Sequence, residues 1–281
     1  MKIQLTVLLC LIAFNFILPQ QKDTIFYKWL PTAAVGLNIN QIALSNWTSG
    51  GDNAISWTLS GLMGLKYVTE DWIFKNNLHL AYGKTKLGGA SFITNDNEFY
   101  LETILTRKID WAVDPFISNT IRTPLTIGYN YKVTPFVPIA NFFDPGYLTQ
   151  SLGFIYNKVP GFTTRLGIAA QETFTKNYSA LYNVDPESGL PKKFRLDAGL
   201  ENVSTAEYKI ADNLLYKGNL RLFTRFKSMD VWDVRWDNAV IAKINDYINV
   251  NFTYLFIYEK AQSPTAQMKE SLQLGFDYSI L

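Results

Sequence analysis

The chain has one cysteine, Cys10, and one histidine, His79, among 281 residues. Cys10 falls inside a stretch with the features of an export signal: Lys2 is the positive end, and Leu5 to Leu18 is apolar apart from Thr6 and Asn15. Residues 1–20 are therefore expected to be removed. A lipid anchor on Cys10 fits poorly, because the apolar run continues past it and Leu9 is bulky for cleavage there. Losing Cys10 leaves a mature chain without disulfides, thiol nucleophiles or thiolate metal sites. With a single histidine, a His-rich metal site is excluded, and a Ser-His-acid hydrolase would have to use His79. No cofactor or metal is expected. Charge is also scarce, at 18% Asp, Glu, Lys and Arg against about 25% in soluble domains. Without Lys2 the balance is 25 basic to 24 acidic residues, which gives no reason to expect nucleic acid as a partner. After the signal no apolar run reaches the ~18 residues of a membrane helix. A membrane crossing by this chain would have to be made by strands.

Aromatic residues are plentiful, at 15%, and the chain alternates. From Ile55 to Tyr67 the odd positions are Ile, Trp, Leu, Gly, Met, Leu and Tyr, while the even ones are mostly Ser, Thr, Gly and Lys. Residues 248–258 and 267–281 repeat the pattern, broken only at Glu270. This predicts twelve strands near residues 33–45, 54–68, 71–84, 96–109, 111–123, 147–157, 161–173, 193–211, 213–227, 233–245, 247–259 and 267–281. Each is long enough for the roughly 9–11 residues of a tilted membrane strand, whereas soluble strands cluster near 5–6. Alternate connections are predicted to be tight, at Glu70-Asp71, Ile109-Asp110, Asn157 to Gly161, Asp212-Asn213 and Asp246-Tyr247. Those at 46–53, 85–95, 124–146, 174–192, 228–232 and 260–266 are longer, the fifth only as long as the longest tight turn. Short turns at one end and long loops at the other are the pattern of an outer-membrane barrel. Tyr67, Trp72, Trp111, Tyr156, Phe162, Tyr208, Tyr216 and Tyr278 fall beside the tight turns on the apolar phase, as an aromatic belt would. A soluble barrel would also alternate, but its water-facing phase would carry more Lys and Glu. The expectation is a single-domain, all-β, transmembrane antiparallel up-and-down barrel of about twelve strands over residues 21–281, in contact with outer-membrane lipid of a Gram-negative cell.

If the apolar phase faces lipid, the polar phase faces a lumen. Its charged candidates are Lys75, His79, Glu98, Glu102, Arg165, Arg195, Asp197, Glu201, Lys217, Arg221, Arg225, Arg235, Asp237 and Lys243. Such charges must pair or meet water, since an isolated buried charge costs several kcal/mol. They predict either a solute pathway or a salt-bridged filling of the wall. Twelve strands lie between the filled eight-stranded barrels and the open sixteen-stranded porins, so a narrow lumen is expected. His79 falls on the lumenal phase, away from where a lipid hydrolase would need its base, and no Gly-x-Ser-x-Gly elbow accompanies it. Glu98 and Glu102, at i and i+4 on a strand, are ~13 Å apart and too distant for a carboxylate dyad. In the loops, Gly50, Gly51 and Asn53 have turn chemistry, but Trp47 does not. Trp47, with Phe142, Phe143 and Tyr147 at the end of the longest unpatterned stretch, is a candidate for the lumen mouth, the membrane surface or a partner envelope protein.

The Asn46-Trp47-x-x-Gly50-Gly51-x-Asn53 stretch follows Leu37-Asn38-Ile39-Asn40-Gln41, and Asp212-Asn213 follows Tyr208-Lys209-Ile210. Together these resemble an uncharacterised family of Bacteroidota outer-membrane barrels known only as a domain of unknown function. The resemblance implies location and fold and brings no catalytic residues or substrate. The functions it leaves open are a narrow channel for small polar solutes, a structural or assembly partner with a plugged lumen, and an outer-membrane lipid hydrolase.

Overall fold

The computed structural model describes residues 27–46, 51–185, 188–260 and 265–281. The expected signal segment, Trp47 and Gly50 lie outside them. The strands are β1 (Trp29–Ile42), β2 (Ala54–Val68), β3 (Trp72–Leu87), β4 (Ile93–Arg107), β5 (Asp114–Thr123), β6 (Gly128–Asn130), β7 (Val137–Ala140), β8 (Gly146–Val159), β9 (Phe162–Phe174), β10 (Phe194–Ala211), β11 (Leu214–Arg225), β12 (Ser228–Lys243), β13 (Ile248–Tyr258) and β14 (Gln267–Ser279). One short helix, α1 (Ser179–Tyr182), lies between β9 and β10. Twelve strands close into an antiparallel barrel in the order β1-β14-β13-β12-β11-β10-β9-β8-β5-β4-β3-β2, and β6-β7 is a separate small hairpin. All twelve segments with period-2 alternation are barrel strands. Closure removes the sheet edges that an open sheet of this length would expose.

The wall is inside-out relative to a soluble protein. Among the described residues eighteen polar or charged residues are buried, against nine apolar ones. Large apolar residues meanwhile cover the outer face on every side. Leu59, Met63, Leu152, Leu166, Ile168 and Leu272 are each more than half exposed. Strand sequence explains this division, because side chains two apart share a face. On β2, Leu59 and Met63 point out while Thr58 and Val68 are buried inside.

The start of β1, the end of β14 and the connections at 69–71, 108–113, 160–161, 212–213 and 244–247 lie at one end, the turn end. The connections at 43–53, 88–92, 124–145, 175–193, 226–227 and 259–266 lie at the loop end. One of these departs from expectation: β11 and β12 join through only Phe226 and Lys227. β12 begins at Ser228, five residues earlier than its alternation predicts, because Thr224 bonds the Ser228 and Val231 carbonyls and carries the ladder through an irregularity.

Two glycine sites let the wall curve tightly. Gly153 and Gly167 face one another across β8 and β9, and a Cβ at Gly153 would stand 2.1 Å from the Leu166 carbonyl oxygen. A Cβ at Gly199 would stand 1.9 Å from that of Thr224. The closing pair, β1 with β14, has the shortest register of the barrel, from Ala34↔Ser279 to Ile39↔Leu274. On its other side β1 pairs with β2 along its whole length, from Trp29↔Tyr67 to Ile42↔Ala54.

The aromatic residues expected beside the tight turns lie at the turn end. Trp29 joins them, 4.6 Å from Tyr67, and Tyr247 stacks on Tyr278 at 6.5 Å. The sequence reading did not find a second aromatic band at the loop end. There Phe99, Phe142, Phe143, Phe174 and Phe194 form a continuous chain with successive centroids 5.2–6.3 Å apart. Phe142 and Phe143 thus pack on the outer rim of the wall.

Candidate functional site: the polar lumen

The lumenal charges form three connected groups. In the first, Glu98 on β4 accepts from Arg235 Nη2 on β12 at 3.1 Å and lies 3.1 Å from Arg122 Nε on β5. His79 Nδ1 is 3.8 Å from the other oxygen of Glu98. Arg235 also grips Asp237 through two bonds of 2.9 and 3.0 Å. β4 and β12 stand six strands apart in a ring of twelve, so the Glu98–Arg235 bond crosses the full width of the lumen. Lys269 on β14 also crosses, donating to the Asn95 carbonyl at 2.9 Å and lying 3.2 Å from Asp96 on β4.

In the second group Arg165 donates to Glu102, which also accepts from the Tyr100 hydroxyl at 3.2 Å. In the third, Arg225 bridges Asp197 at 3.1 Å and Asp233 at 2.8 Å, and Arg195 shares Asp197 at 2.9 Å. Arg221 bonds Glu201 at 2.7 Å and Gln171 at 2.8 Å, and Ser151 donates to the same Glu201. Both Arg221 and Arg225 lie over the fully buried Phe223 ring, at 5.4 and 5.5 Å. A cation held between an aromatic face and carboxylates loses little on leaving water.

Eleven of the fourteen residues named from sequence as lumen candidates therefore enter these three groups. The other three lie toward the turn end: Lys217 is 3.4 Å from Glu207, and Lys75 and Lys243 stand near the turn ends of β3 and β12. Arg122, Asp233, Asp96 and Lys269 were not named, although each falls on the polar phase of its strand.

A cavity of about 640 Å³ occupies the lumen. Its upper lining comes from Pro124, Pro145, Tyr182 and Glu259, and its deeper lining includes Arg165, Glu201, Lys217 and Asn219. The Glu98–Arg235 bond lies between these levels. Tyr147, named with the loop residues but also the first residue of the expected strand 147–157, is the second residue of β8 and lines this cavity. The two long loops clasp each other at the mouth, where the buried Asp144 accepts from the Lys176 and Asn177 amides, both at 2.8 Å. Just beyond β13, burial holds the Glu259 carboxyl above its ordinary 4.5, with Asp233 adding to the rise and Arg221 and Arg225 opposing it. Burial likewise raises the Tyr182 phenol, aided by Asp144.

In the first outer loop Asn53 Oδ1 accepts from the Leu44 amide at 2.6 Å, and Gly51 has φ +108°. The Asn53 bond ties the two described ends of this loop together. Among the described residues no group of three His, Cys, Asp or Glu is placed to hold a metal ion.

Fold and site together define a closed twelve-stranded antiparallel β-barrel with an apolar exterior and an ion-paired lumen. Residues 39–129 match a family described as "Protein of unknown function (DUF3078)", a span of less than half the chain that includes the Asn53 loop. No curated protein matches by sequence. Similar solved structures include the translocator domain of the autotransporter NalP from Neisseria meningitidis, at 10% identity and TM-score 0.38 over 91% of this chain and 90% of that one. An outer membrane channel from Pseudomonas putida F1 has 10% identity and TM-score 0.41 over 89% and 94%. The CymD monoaromatic hydrocarbon channel has 10% identity and TM-score 0.34 over 90% and 88%. The fold assignment rests on the closed strand order.

Proposed function

We propose that this chain spans the outer membrane and carries a narrow, ion-paired pathway for small polar solutes. The membrane placement is supported by the apolar outer face, since a soluble monomer rarely exposes contiguous apolar patches beyond a few hundred Å². Strands of 10–18 residues match an apolar band of about 25 Å. The single observation that carries the pathway is the cavity of about 640 Å³ within the lumen, with charged side chains along its depth and the Glu98–Arg235 bond spanning it. A pair reaching across the lumen from opposite walls is a constriction that side-chain rotation can open without moving the backbone.

A second reading, a plugged barrel serving a structural or assembly role in the envelope, draws on the same crossing bonds and on Lys269–Asp96. The hydrolase reading has less support, because His79 faces Glu98 inside the lumen and not the lipid side.

Planar-bilayer conductance separates the first two. Folded wild-type protein should give small, brief steps, and the Glu98→Gln, Arg235→Gln double variant should give larger or longer ones. Silence from both, with folding verified, would discard the pathway and leave the plugged barrel.

A further inference from the structure

The lumen is filled unevenly around its ring. On β4, β5 and β8 the lumenal Ile104, Phe116 and Ile155 form a buried apolar cluster, and Arg165 of β9 lies over the Phe116 ring at 5.9 Å. Ser118, the cross-strand partner of Ile104 and of Ser151, is 4% exposed. That side of the lumen is closed.

The opposite side is open. Leu62 on β2 is the direct partner of Ala34 on β1 and of His79 on β3, in ladders that run without a shift, so it points into the lumen as His79 does. It is nevertheless 51% exposed. Toward the turn end Asn77 and Lys75 on β3, Thr32 on β1 and Asp277 on β14 are also exposed, all on the lumenal phase. An apolar side chain half exposed inside a closed ring stands beside space that water can enter.

Glycines in this wall create the space. The positions that a Cβ would take are occupied by Asp277 and Ser60 at Gly36, by Thr32 at Gly64, and by Asn38, Asn249 and Asn251 at Gly275. These side chains therefore lie flat along the wall. Hydrogen bonds hold them there, since Asn249 donates to Asp277 and Asn251 to Asn38, both at 2.7 Å. Hydroxyls and amides thus line the wall without reaching across it. Lys269–Asp96 does span this half, but nearer the loop end, four residues along β3 from His79.

We infer that the solute pathway leaves the lumenal cavity at His79 and descends to the turn end along the β14-β1-β2-β3 wall, with Leu62 lining it at mid-height, an inference that rests on the pathway reading. His79 joins the two segments, because it lines the cavity and is the cross-strand partner of Leu62. The Glu98–Arg235 bond and the cluster around Phe116 close the rest of the cross-section. Pore-lining side chains set the width and polarity that a solute meets, so bulk or charge added at Leu62 acts directly on conduction.

Thiol accessibility in the bilayer-inserted barrel tests this, because Cys10 lies in the segment expected to be removed and an introduced cysteine would be alone. A charged, membrane-impermeant thiosulfonate should add its mass to Leu62→Cys and remove most of that variant's current. Asn77→Cys should respond in the same way, and it keeps the test available if Leu62→Cys does not fold. Ser118→Cys, on the closed side, should stay unmodified until the barrel is unfolded. Conducting Leu62→Cys or Asn77→Cys protein that fails to react, or reacts without losing current, would overturn the route and leave the pathway standing. Ser118→Cys reacting as fast as the other two would do the same. Inserted wild-type protein that never conducts would overturn the pathway and the route with it.

Discussion

At the scale of single residues, the lumen behaves as a soluble core would, with ion pairs in place of packed hydrocarbon. Arg225 is the centre of one group, and Arg225→Ala would strand Asp233, which is 5% exposed, and leave Asp197 with Arg195 alone. Breaking a buried pair by removing one partner costs about 3–5 kcal/mol, so the variant should unfold at clearly lower urea concentration. Gly199 tests wall curvature: Gly199→Ala would place a methyl group against a carbonyl that is part of the β10–β11 ladder. Its unfolding midpoint should fall, since backbone cannot move aside as a flexible side chain can. Glu259 adds a pH dependence of defined sign. Its folded value is raised above 4.5, so the stability it contributes is complete below 4.5 and is lost as pH rises through the folded value. The gap in urea midpoint between wild type and Glu259→Gln should therefore widen above pH 4.5, with the variant more stable. A constant gap would contradict the assignment.

Strands were far easier to read from sequence than loops, and the reason lies in what enforces each. A strand repeats its instruction every second residue, so Ile55 to Tyr67 specifies β2 many times over. The 226–227 turn has no such redundancy: one irregularity at Thr224 separates the expected start of β12 at Asp233 from the observed one at Ser228. Crossing bonds such as Glu98–Arg235 were invisible for another reason. Alternation assigns a face, but pairing across a lumen depends on closure and stagger of the whole ring. Loops obey local hydrogen bonds instead, and Asn53 is the clearest case. Asn53→Ala would free the Leu44 amide, a loss of about 1 kcal/mol, and limited proteolysis should cut within 43–53 faster than in wild type.

Across the whole molecule, the expected transmembrane architecture rested on strand length and turn parity, and the ring closed as those features required. The aromatic band at the turn end has a direct optical readout. Lipids brominated near the headgroup should quench Trp72 and Trp111 more strongly than lipids brominated at the chain ends, and equal quenching would remove the belt from the interface. The shortest ladder in the ring, β1 against β14, has a consequence for biogenesis. Its two strands are the first and last of the barrel in chain order, so the wall stays an open sheet with two raw edges until β14 is in place. Until then those edges can bind any exposed strand, including one offered by assembly machinery. Once closed, this six-residue joint is where the cylinder would unzip with the least loss of backbone bonding.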